Sequence, residues 1–200
     1  MWNERYAQND FIYGQVANDF LQAQSHHIAP EGQVLCLAEG QGRNAVYLAQ
    51  QGFQVTAVDL SSVGLAAAQR LAQSRGVEIT TQVADLAEFD FGQQQWDAIV
   101  SISAHVPGTL RQHLHKSVVE ALKPKGVFIL EAYTPDQLNA SGVGGPPASQ
   151  KDFFMTLAAL KSELTGLEFE LGQELIREMD EGEFHQGTSA VVQVLASKPS

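Results

Sequence analysis

A glycine-rich turn in the first quarter of the chain contains the first residues with a pattern typical of ligand binding. Gly40 and Gly42 stand between an apolar run and a predicted helix, and Asp59 follows 19 residues after Gly40. Glycine lets the backbone pass close to a ligand and leaves the amides of the helix N-terminus facing it. An acidic side chain at the end of the next strand can accept both hydroxyl groups of a ribose. The spacing therefore predicts a nucleoside-containing cofactor, although a tight turn with Asp59 as a helix N-cap is the structural alternative.

A second acidic position, Asp85, follows the third predicted strand. Ligands of open α/β sheets bind at the carboxyl ends of the strands, so this side chain could bind an adenine amino group while Leu86 packs on the ring. An exposed loop carboxylate without a ligand is the alternative. By themselves these positions fit NAD as well as S-adenosylmethionine (SAM).

Three further residues are candidates for the reacting side of the site. His105 follows the fourth predicted strand, His185 lies in the connection between two late strands, and Tyr13 could close a pocket over a cofactor. Each also has a structural interpretation, since a histidine can cap or pack a loop and a tyrosine can anchor one.

The other histidines have no chemical pattern. His113 and His115 fall on a helix with polar neighbours and are predicted to be solvated. His26 and His27 have no ligand spacing with cysteine or carboxylate residues, so no metal site is predicted.

Short β-rich runs alternating with helical runs must position these residues. The predicted strands are Gln33–Ala38, Gln54–Val58, Val77–Thr81, Trp96–Ser103 and Val127–Tyr133. The predicted helices among and after them are Arg43–Gln51, Ser62–Ser74, Thr109–Leu122 and Asp152–Leu164. Such alternation is typical of a parallel sheet built from βαβ units.

The two ends of the chain have different patterns. Before Gln33 the sequence is predicted to be helical, with Val16, Phe20 and Ala23 on one face. Near the C-terminus two β-rich runs are joined by a connection too short for a crossover helix, so they must pair antiparallel. The sequence thus predicts an α/β fold: a single-domain Rossmann-like doubly wound sheet of about seven strands, with a parallel core and a C-terminal antiparallel hairpin.

One domain is predicted over residues 1–200. It divides into an N-terminal helical cover at 1–32, a cofactor-binding core at 33–133, a loop and helix over the active site at 134–165 and the hairpin at 166–200. The Gly- and Pro-rich segment 141–149 is predicted to be either a mobile lid or a disordered insertion.

Composition and charge limit the partners. The chain has 12 basic and 23 acidic residues and a formal net charge of -11. Because nucleic acids and anionic membranes are bound by clusters of Lys and Arg, neither is expected as a partner. The only cysteine, Cys36, lies in an apolar run, which suits a reduced compartment. The sequence shows no apolar leader and no run of about 18 apolar residues, so we expect a cytoplasmic protein. We also expect a small-molecule partner and a monomer or homodimer.

Five segments of the chain together resemble the class I SAM-dependent methyltransferases. They are Leu37–Ala49, Val58–Ser61, Ala84–Leu86, Trp96–Val100 and Ala121–Gly126. Three more are similar to the small tellurite-resistance-type methyltransferases, which are themselves similar to thiol methyltransferases. They are the Gly-Arg-Asn trio at 42–44, Trp2–Tyr6 with Tyr13-Gly14, and Glu181–Gly187.

The resemblance implies SAM as the cofactor and S-adenosylhomocysteine (SAH) as the product. The implied cofactor-binding residues are Glu39, Gly40, Gln41, Gly42, Asn44, Asp59, Leu60, Asp85, Leu86 and Ser103. Within this set the loop Glu39–Gly42 would hold the methionine part, Asp59 the ribose and Asp85 the adenine amino group. Leu60 and Leu86 would cover the faces of the adenine.

The first strand departs from the pattern of the resembling family. Many members have an acidic residue within this strand and a Gly-Cys pair before the first loop glycine, where this chain has Cys36 and Ala38-Glu39. We therefore interpret Glu39 as the substitute partner of the cofactor's ammonium group. The same departure leaves a non-catalytic SAM-binding protein as an alternative.

A SAM-dependent methyltransferase is favoured over an NAD-dependent oxidoreductase because the hairpin fits the methyltransferase sheet and no separate substrate domain is present. Methyltransferases of adenine or glutamine resemble one another in an Asn/Asp-Pro-Pro-aromatic stretch after strand four, whereas this chain has Ser103-Ala104-His105-Val106. A small acceptor is therefore expected, and family likeness points to a thiol or a selenium or tellurium species. A thiol of pKa about 8.5 needs little activation, so His105, His185 and Tyr13 are expected mainly to line the acceptor side.

Overall fold

Strands and helices alternate from residue 33 onward in the computed structural model, which describes residues 2–8 and 11–200. The helices are α1 Trp2–Gln8, α2 Asp19–Gln24, α3 Arg43–Gln50, α4 Ser62–Ser74, α5 Gly108–Ala121 and α6 Leu157–Glu163. Short 3-10 helices cover Ser25–His27, Pro135–Asn139 and Ala148–Phe153. The strands are β1 Gln33–Leu37, β2 Gln54–Asp59, β3 Thr80–Val83, β4 Trp96–Ile102, β5 Leu122–Tyr133, β6 Glu168–Asp180 and β7 Gln186–Ser197.

These strands form one seven-stranded sheet in the order β3-β2-β1-β4-β5-β7-β6. The first five are parallel to one another, while β7 pairs antiparallel with both β5 and β6. The predicted parallel core and C-terminal hairpin are therefore confirmed. The chain leaves β1 toward β2 and β3 and then returns to place β4 on the other side of β1. Such a switch in direction opens a crevice at the carboxyl ends of the strands.

Two apolar clusters cover the two faces of the sheet. In β1, Val34 and Cys36 belong to the cluster that packs against α3 and α4, and Leu35 and Leu37 belong to the cluster under α5 and α6. Alternate side chains of a strand point to opposite faces, so a central strand covered on both faces must be apolar throughout. Cys36 is fully buried in this strand.

Several predicted boundaries were wrong for local reasons. The third strand was predicted at Val77–Thr81, but the amide of Val77 donates to the carbonyl of Ala72 and closes the end of α4. Pairing with β2 starts only at Thr80. The helix predicted at Asp152–Leu164 starts at Leu157, because Thr156 caps it and Ala148–Phe153 forms a separate 3-10 helix.

The end of α5 also differs from the prediction. A helix over Thr109–Leu122 was expected to stop at the Lys-Pro-Lys-Gly segment, but Leu122 already pairs with Trp96 as the first residue of β5. Residues 123–126 form an irregularity between this pair and the next, Ala98 with Val127.

The predicted apolar face of the N-terminal helix was wrong at two of its three residues and right at Phe20. Val16 precedes α2 and is 71% exposed, and Ala23 is exposed as well. Phe20 and Leu21 are the buried residues of α2, because Asn18 caps this helix and fixes its start at Asp19, three residues after Val16. Within the described residues, no helix combines the length and apolarity needed to cross a membrane.

Candidate functional site

A cavity of about 540 Å³ opens at the carboxyl ends of β1, β2 and β4 and beside the loop that follows β3. All of the predicted site residues except Gly40 line it. They are Tyr13, Glu39, Gln41, Gly42, Asn44, Asp59, Leu60, Asp85, Leu86, Ser103, His105 and His185. Residues from nearly the whole length of the chain therefore meet at the edge where an α/β sheet binds its ligands.

The loop between β1 and α3 uses left-handed backbone at three positions. Ala38, Gly40 and Gly42 have φ values of 49°, 60° and 90°. A Cβ atom on Gly42 would lie 2.5 Å from Cβ of Ala68 in α4, and one on Gly40 would lie 2.5 Å from Oη of Tyr6. The two glycines thus let α3 pack on α4 and let α1 close on the loop. The strained Ala38 marks a position whose geometry the surroundings enforce.

Glu39 caps α3 from inside this loop. Its Oε1 accepts hydrogen bonds from the amides of Asn44 (3.0 Å) and Ala45 (2.8 Å), because the formal N-cap, Gly42, has no side chain to do so. Burial raises the pKa of Glu39 to about 7, although the two amides and Arg43 oppose the shift. A positive charge placed next to a buried carboxyl with this pKa would stabilise its ionised form.

Asp59 joins the ends of β1 and β2. Its Oδ2 accepts from the amide of Gly40 at 2.8 Å and its Oδ1 from the amide of Ser61 at 2.7 Å. Burial raises the pKa of the Asp59 carboxyl, and the two amides oppose the rise. Each carboxylate oxygen accepts more than one hydrogen bond, so the side chain retains capacity for two hydroxyl groups.

Three residues beyond Asp59 form the far end of the cavity. Leu60 is 56% exposed and Leu86 is buried. Asp85 is exposed, and its Oδ1 accepts from the amide of Ala87 at 2.9 Å. Since neighbouring strands lie about 4.8 Å apart, the order β3-β2-β1 places Asp85, Asp59 and Glu39 in a row along the sheet edge.

His105, on the β4 side, is held between backbone groups. Its Nδ1 lies 3.0 Å from the carbonyl of Phe153 and its Nε2 accepts from the amide of Tyr133 at 3.3 Å. Burial and the nearby Arg111 lower the pKa of His105 to about 4, against the opposing effect of the Phe153 carbonyl. Because both ring nitrogens are engaged, this geometry favours the packing interpretation of His105. Ser103, with φ of 55°, precedes it at the end of β4 and donates its amide to the carbonyl of Glu131.

His185 has a different environment in the connection between β6 and β7. Its ring centroid lies 4.6 Å from that of Tyr13 and 5.4 Å from that of Tyr133. Its Nδ1 is buried, has no hydrogen-bond partner and lies 4.0 Å from Oε2 of Glu181. Burial, followed by the charge of Arg43, lowers the pKa of His185 to about 3. The imidazole is therefore neutral at pH 7, and its unpaired Nδ1 lies next to the Glu181 carboxylate.

A buried polar network supports this side of the cavity. Glu181 accepts hydrogen bonds from Asn18 (2.7 Å), Arg177 (2.7 Å) and Arg43 (2.5 Å). Glu131 on β5 also accepts from Asn18 at 2.7 Å and from Arg177 at 3.0 Å. Because Asn18 caps α2 and Arg43 starts α3, the network fastens both helix ends to the hairpin connection.

The segments around Tyr13 and Glu181 meet directly. The amide of Ile12 donates to Oε1 of Gln41 at 2.9 Å, and the amide of Glu183 donates to the carbonyl of Ile12 at 2.9 Å. A Cβ on Gly182 would lie 2.4 Å from the amide nitrogen of Gly14. Two segments far apart in the sequence thus form one wall.

The segment 141–149 is tied to the same wall. Val143 pairs with Gln186, and Gly144 and Gly145 pack against the ring of Tyr133. Pro146 and Pro147 line the cavity. Movement of the segment 141–149 as a lid remains a prediction.

Sequence reasoning missed several lining residues. They are Trp2, Arg5, Tyr6, Arg43, Val106, Leu110, Gln150 and Phe153. Arg43 directly follows the glycine loop, and its buried Nη1 has no hydrogen-bond partner, so its position next to Gly42 was a usable signal. The residues of α1 have no chemical pattern of their own, and the similarity of Trp2–Tyr6 to tellurite-resistance-type methyltransferases was the signal for them.

The other histidines fall into two groups. His115 was predicted to be solvated, which was wrong: it is 4% exposed and its Nδ1 lies 2.6 Å from Oε2 of Glu163. Glu163 lies 48 residues from His115 in the sequence, so the polar neighbours of His115 in its helix gave no indication of this pair. His113 is exposed, as are His26 and His27. Over residues 2–8 and 11–200, no group of three or more His, Cys, Asp and Glu side chains could hold a metal ion.

Comparison with known proteins gives one family match. Residues 34–126 match the family model described as a methyltransferase domain. A curated protein of Bacillus subtilis (strain 168), named "Putative methyltransferase YqeM", is 32% identical over 109 residues, which are 52% of this chain. The match spans 43% of the length of that relative.

Solved structures show the same fold at lower identity. The structure described as the conversion of a disulfide bond into a thioacetal group during echinomycin biosynthesis has a TM-score of 0.74 at 16% identity, covering 99% of this chain and 91% of that one. TehB from Haemophilus influenzae has a TM-score of 0.72 at 23% identity, covering 92% of this chain and 62% of that one. Residues 34–126 therefore resemble a methyltransferase domain, and the solved structures share the fold of the chain.

Proposed function

We propose that the protein is a SAM-dependent methyltransferase that acts on a small acceptor, a thiol or a selenium or tellurium species. One observation carries the proposal. Glu39, Asp59 and Asp85 lie in a row beside the glycine loop, at the carboxyl edge of the sheet. An adenosyl cofactor with a zwitterionic amino-acid end presents groups in the same sequence: an ammonium, ribose hydroxyls and an adenine amino group.

The residues around the glycine loop fit the amino-acid end of SAM. Arg43 has a buried guanidinium nitrogen, Nη1, without a partner, which suits a carboxylate. Glu39 has a carboxyl whose burial would be offset by an ammonium group. In this assignment Asp59 accepts the ribose hydroxyls.

The residues beyond Asp59 fit the adenine. Leu60, Ala84 and Leu86 are apolar residues at this end of the cavity, and Asp85 is the adjacent acceptor for an exocyclic amino group. The large exposure of Leu60 has a use in this assignment, because an adenine ring would cover it.

The chemistry expected of the chain is positioning. SAM supplies a methyl group that is already activated on a sulfonium, so the protein has to align the nucleophile and exclude water. Trp2 and Tyr6 of α1, whose rings stack at 5.8 Å, cover the cavity together with Tyr13. His185 lines the acceptor side with a neutral imidazole, and a proton on its buried Nδ1, beside Glu181, would make Nε2 the nitrogen that can accept a hydrogen bond from an incoming nucleophile.

A small acceptor is supported by what surrounds that side. His105, Pro146, Pro147 and His185 enclose the cavity there, which limits the size of the second substrate. The thiol or chalcogen acceptor is supported by the likeness of the glycine loop and the hairpin connection to tellurite-resistance-type proteins, and TehB is among the structures with the same fold.

A binding experiment with Asp59→Asn tests the cofactor. We expect SAH to raise the melting temperature of the unsubstituted protein, and the substitution to weaken SAH binding by about 10- to 100-fold, since hydrogen bonds to a charged group contribute roughly 1.5–3 kcal/mol. Asp136→Asn, at an exposed position outside the cavity, is the matched control and should bind SAH normally. Stabilisation by NADH instead of SAH would contradict the proposal and favour an oxidoreductase.

A transfer experiment tests the reaction. Methyl-labelled SAM is offered with a panel of thiols, selenite, tellurite and small amines, and label is expected in a thiol or chalcogen product. A protein that binds SAH tightly but labels no member of the panel would be a non-catalytic SAM-binding protein.

A further inference from the structure

The two sides of the cavity differ in polarity. On the side of β1 to β3 the lining includes three carboxylates, Glu39, Asp59 and Asp85. On the side of β4 and β5 the lining comes from the segments 102–110 and 145–153, and we call this part the acceptor lobe. Its apolar residues are Ile102, Val106, Leu110, Pro146, Pro147 and Phe153. Among the described residues of these two segments, none with a charged side chain lines the cavity.

Two nitrogen-bearing side chains near the lobe, His105 and Arg111, are already engaged. Both ring nitrogens of His105 are bonded to backbone groups of Phe153 and Tyr133. Arg111 does not line the cavity: its guanidinium makes a two-pronged pair with Glu163 and donates to the carbonyls of Asp152 and Phe154. Because the charge of Arg111 is paired with Glu163, it is not available to an anionic substrate.

Arg43 and Arg5 line other parts of the cavity. Arg43 follows the glycine loop and donates to Glu181, on the side of the cofactor's amino-acid end. Arg5 belongs to α1, stacks on the ring of Trp2 at 5.0 Å and of Phe184 at 5.6 Å, and donates to Oη of Tyr13. Neither arginine belongs to the lobe.

A charged or oxyanionic acceptor would lose its hydration in this lobe without gaining charged donors, and burying an uncompensated charge is costly. An apolar body loses nothing by the same transfer and gains the burial of its surface. The geometry points to an acceptor with an uncharged, apolar body, an aryl or alkyl thiol, in preference to a charged thiol or a chalcogen oxyanion. This inference rests on the proposed methyltransferase function and narrows its acceptor.

The reaction of such a thiol balances without further partners. The thiol loses its proton to water, and the thiolate sulfur attacks the methyl carbon of SAM. A new carbon–sulfur bond forms while the old one breaks with its electron pair going to the SAM sulfur, which gives a methyl thioether and SAH. Thiolate and sulfonium cancel each other's charge in the transfer, so an apolar lobe favours the neutral products over the buried ion pair.

A matched pair of acceptors tests the inference. 4-Methylbenzenethiol and 4-mercaptobenzoate share one aromatic thiol body and differ in one carboxylate. We expect kcat/KM for 4-methylbenzenethiol to be at least about ten-fold higher, since the carboxylate would be buried without a partner. Selenite and tellurite should be poorer than either thiol. The reverse order, with methyl transfer intact, would overturn the inference and leave the proposed function standing.

Placing a cation in the lobe should change the preference. Leu110→Lys adds an ammonium to the lining, so we expect the preference to shift toward 4-mercaptobenzoate by at least about ten-fold, a change that loosened packing would not produce. Leu138→Lys, at a 42% exposed position outside the cavity, should keep the original preference. Calorimetric SAH binding shows whether each variant is folded.

Binding separates failure of the inference from failure of the proposed function. If no acceptor is methylated, titrating each thiol into the SAH-loaded protein still ranks them. Binding of 4-methylbenzenethiol ahead of 4-mercaptobenzoate supports the apolar lobe, and equal, inverted or absent binding of 4-methylbenzenethiol overturns it. Absence of SAH binding would instead overturn the proposed function, and the inference with it.

Discussion

The two sides of the cavity are built over very different distances in the sequence. On the cofactor side, Glu39 accepts from amides five and six residues away, and Asp59 from amides two and 19 residues away. On the acceptor side, His105 bonds to a carbonyl 48 residues away, and Arg111 to a carboxylate 52 residues away. The cofactor side is therefore a local motif, whereas the acceptor side depends on the tertiary structure.

This difference separates two ways of losing function. A change on the cofactor side should alter ligand binding within a fold that is otherwise intact, because each carboxylate is held by neighbouring backbone amides. A change in the acceptor-side network should act on stability first, because its charges are buried and each has a partner in a different element.

Glu181→Ala should have the largest effect. It would leave Arg43 and Arg177 buried without one of their carboxylates, and removing one partner of a buried pair costs roughly 3–5 kcal/mol. The expected measurement is a loss of that size in the free energy of unfolding at pH 7, from urea denaturation. Glu183→Ala, an exposed position two residues away, should change it by no more than about 0.5 kcal/mol.

The effect of Glu181→Ala should also depend on pH. Burial raises the pKa of Glu181, but Arg43 and Arg177 outweigh it and hold the pKa below its usual value. A carboxyl with a depressed folded-state pKa stabilises the protein above its unfolded-state pKa of 4.5, and the contribution is lost as the pH falls through the folded-state value. A cost of substitution that grew toward low pH would show that the network does not depend on the charge of Glu181.

Glu39→Gln should have a smaller effect on the free energy of unfolding, and should raise this energy where Glu181→Ala lowers it. The pKa of Glu39 is about 7 in the folded protein and 4.5 as its ordinary value, so the folded state binds more protons between these pH values and stability falls as the pH rises through them. Above pH 7 the variant without cofactor should therefore be more stable, by up to about 3 kcal/mol. Below pH 4.5 the two proteins should agree.

The same substitution tests the partner assigned to the ammonium of SAM. If Glu39 binds that group, Glu39→Gln gains stability without cofactor and loses SAH affinity at pH 8. Glu120→Gln, exposed on α5, should show neither change. Unchanged SAH affinity in Glu39→Gln would remove Glu39 from the cofactor site while leaving its titration to explain the stability.

How far the sequence could predict this molecule follows the same division. The sheet, its hairpin and the residues of the glycine loop were predictable because Gly40, Gly42 and Asp59 lie in patterns that span a single βαβ unit. The burial of His115 was not, because its partner Glu163 reaches it only after α5 and α6 have packed.

The same limit applies to the acceptor side. The engagement of both nitrogens of His105 depends on Phe153 and Tyr133, which three separate chain segments bring together. Composition near His105 contains no information about either partner. The position of His105 after strand four therefore suggested a reacting group, whereas its contacts indicate that it holds the backbone of the cavity wall in place.

Arg111→Lys should give the smallest effect and the sharpest distinction between the two sides. Lysine keeps the charge but cannot reproduce the two-pronged pair with Glu163 together with both carbonyl contacts, at Asp152 and Phe154. We expect a loss of roughly 1–2 kcal/mol in the free energy of unfolding, the size of one or two hydrogen bonds.

The kinetic effect of Arg111→Lys should be confined to the acceptor. The two carbonyls flank Phe153, which lines the acceptor lobe, so a loosened wall should raise KM for the thiol several-fold and leave SAH affinity unchanged. Arg75→Lys, which removes only an exposed contact with Gln15, controls for the loss of an arginine. Equal losses of SAH and thiol affinity in Arg111→Lys would mean that the two sides of the cavity are coupled through the fold, because nothing that Arg111 touches belongs to the cofactor side.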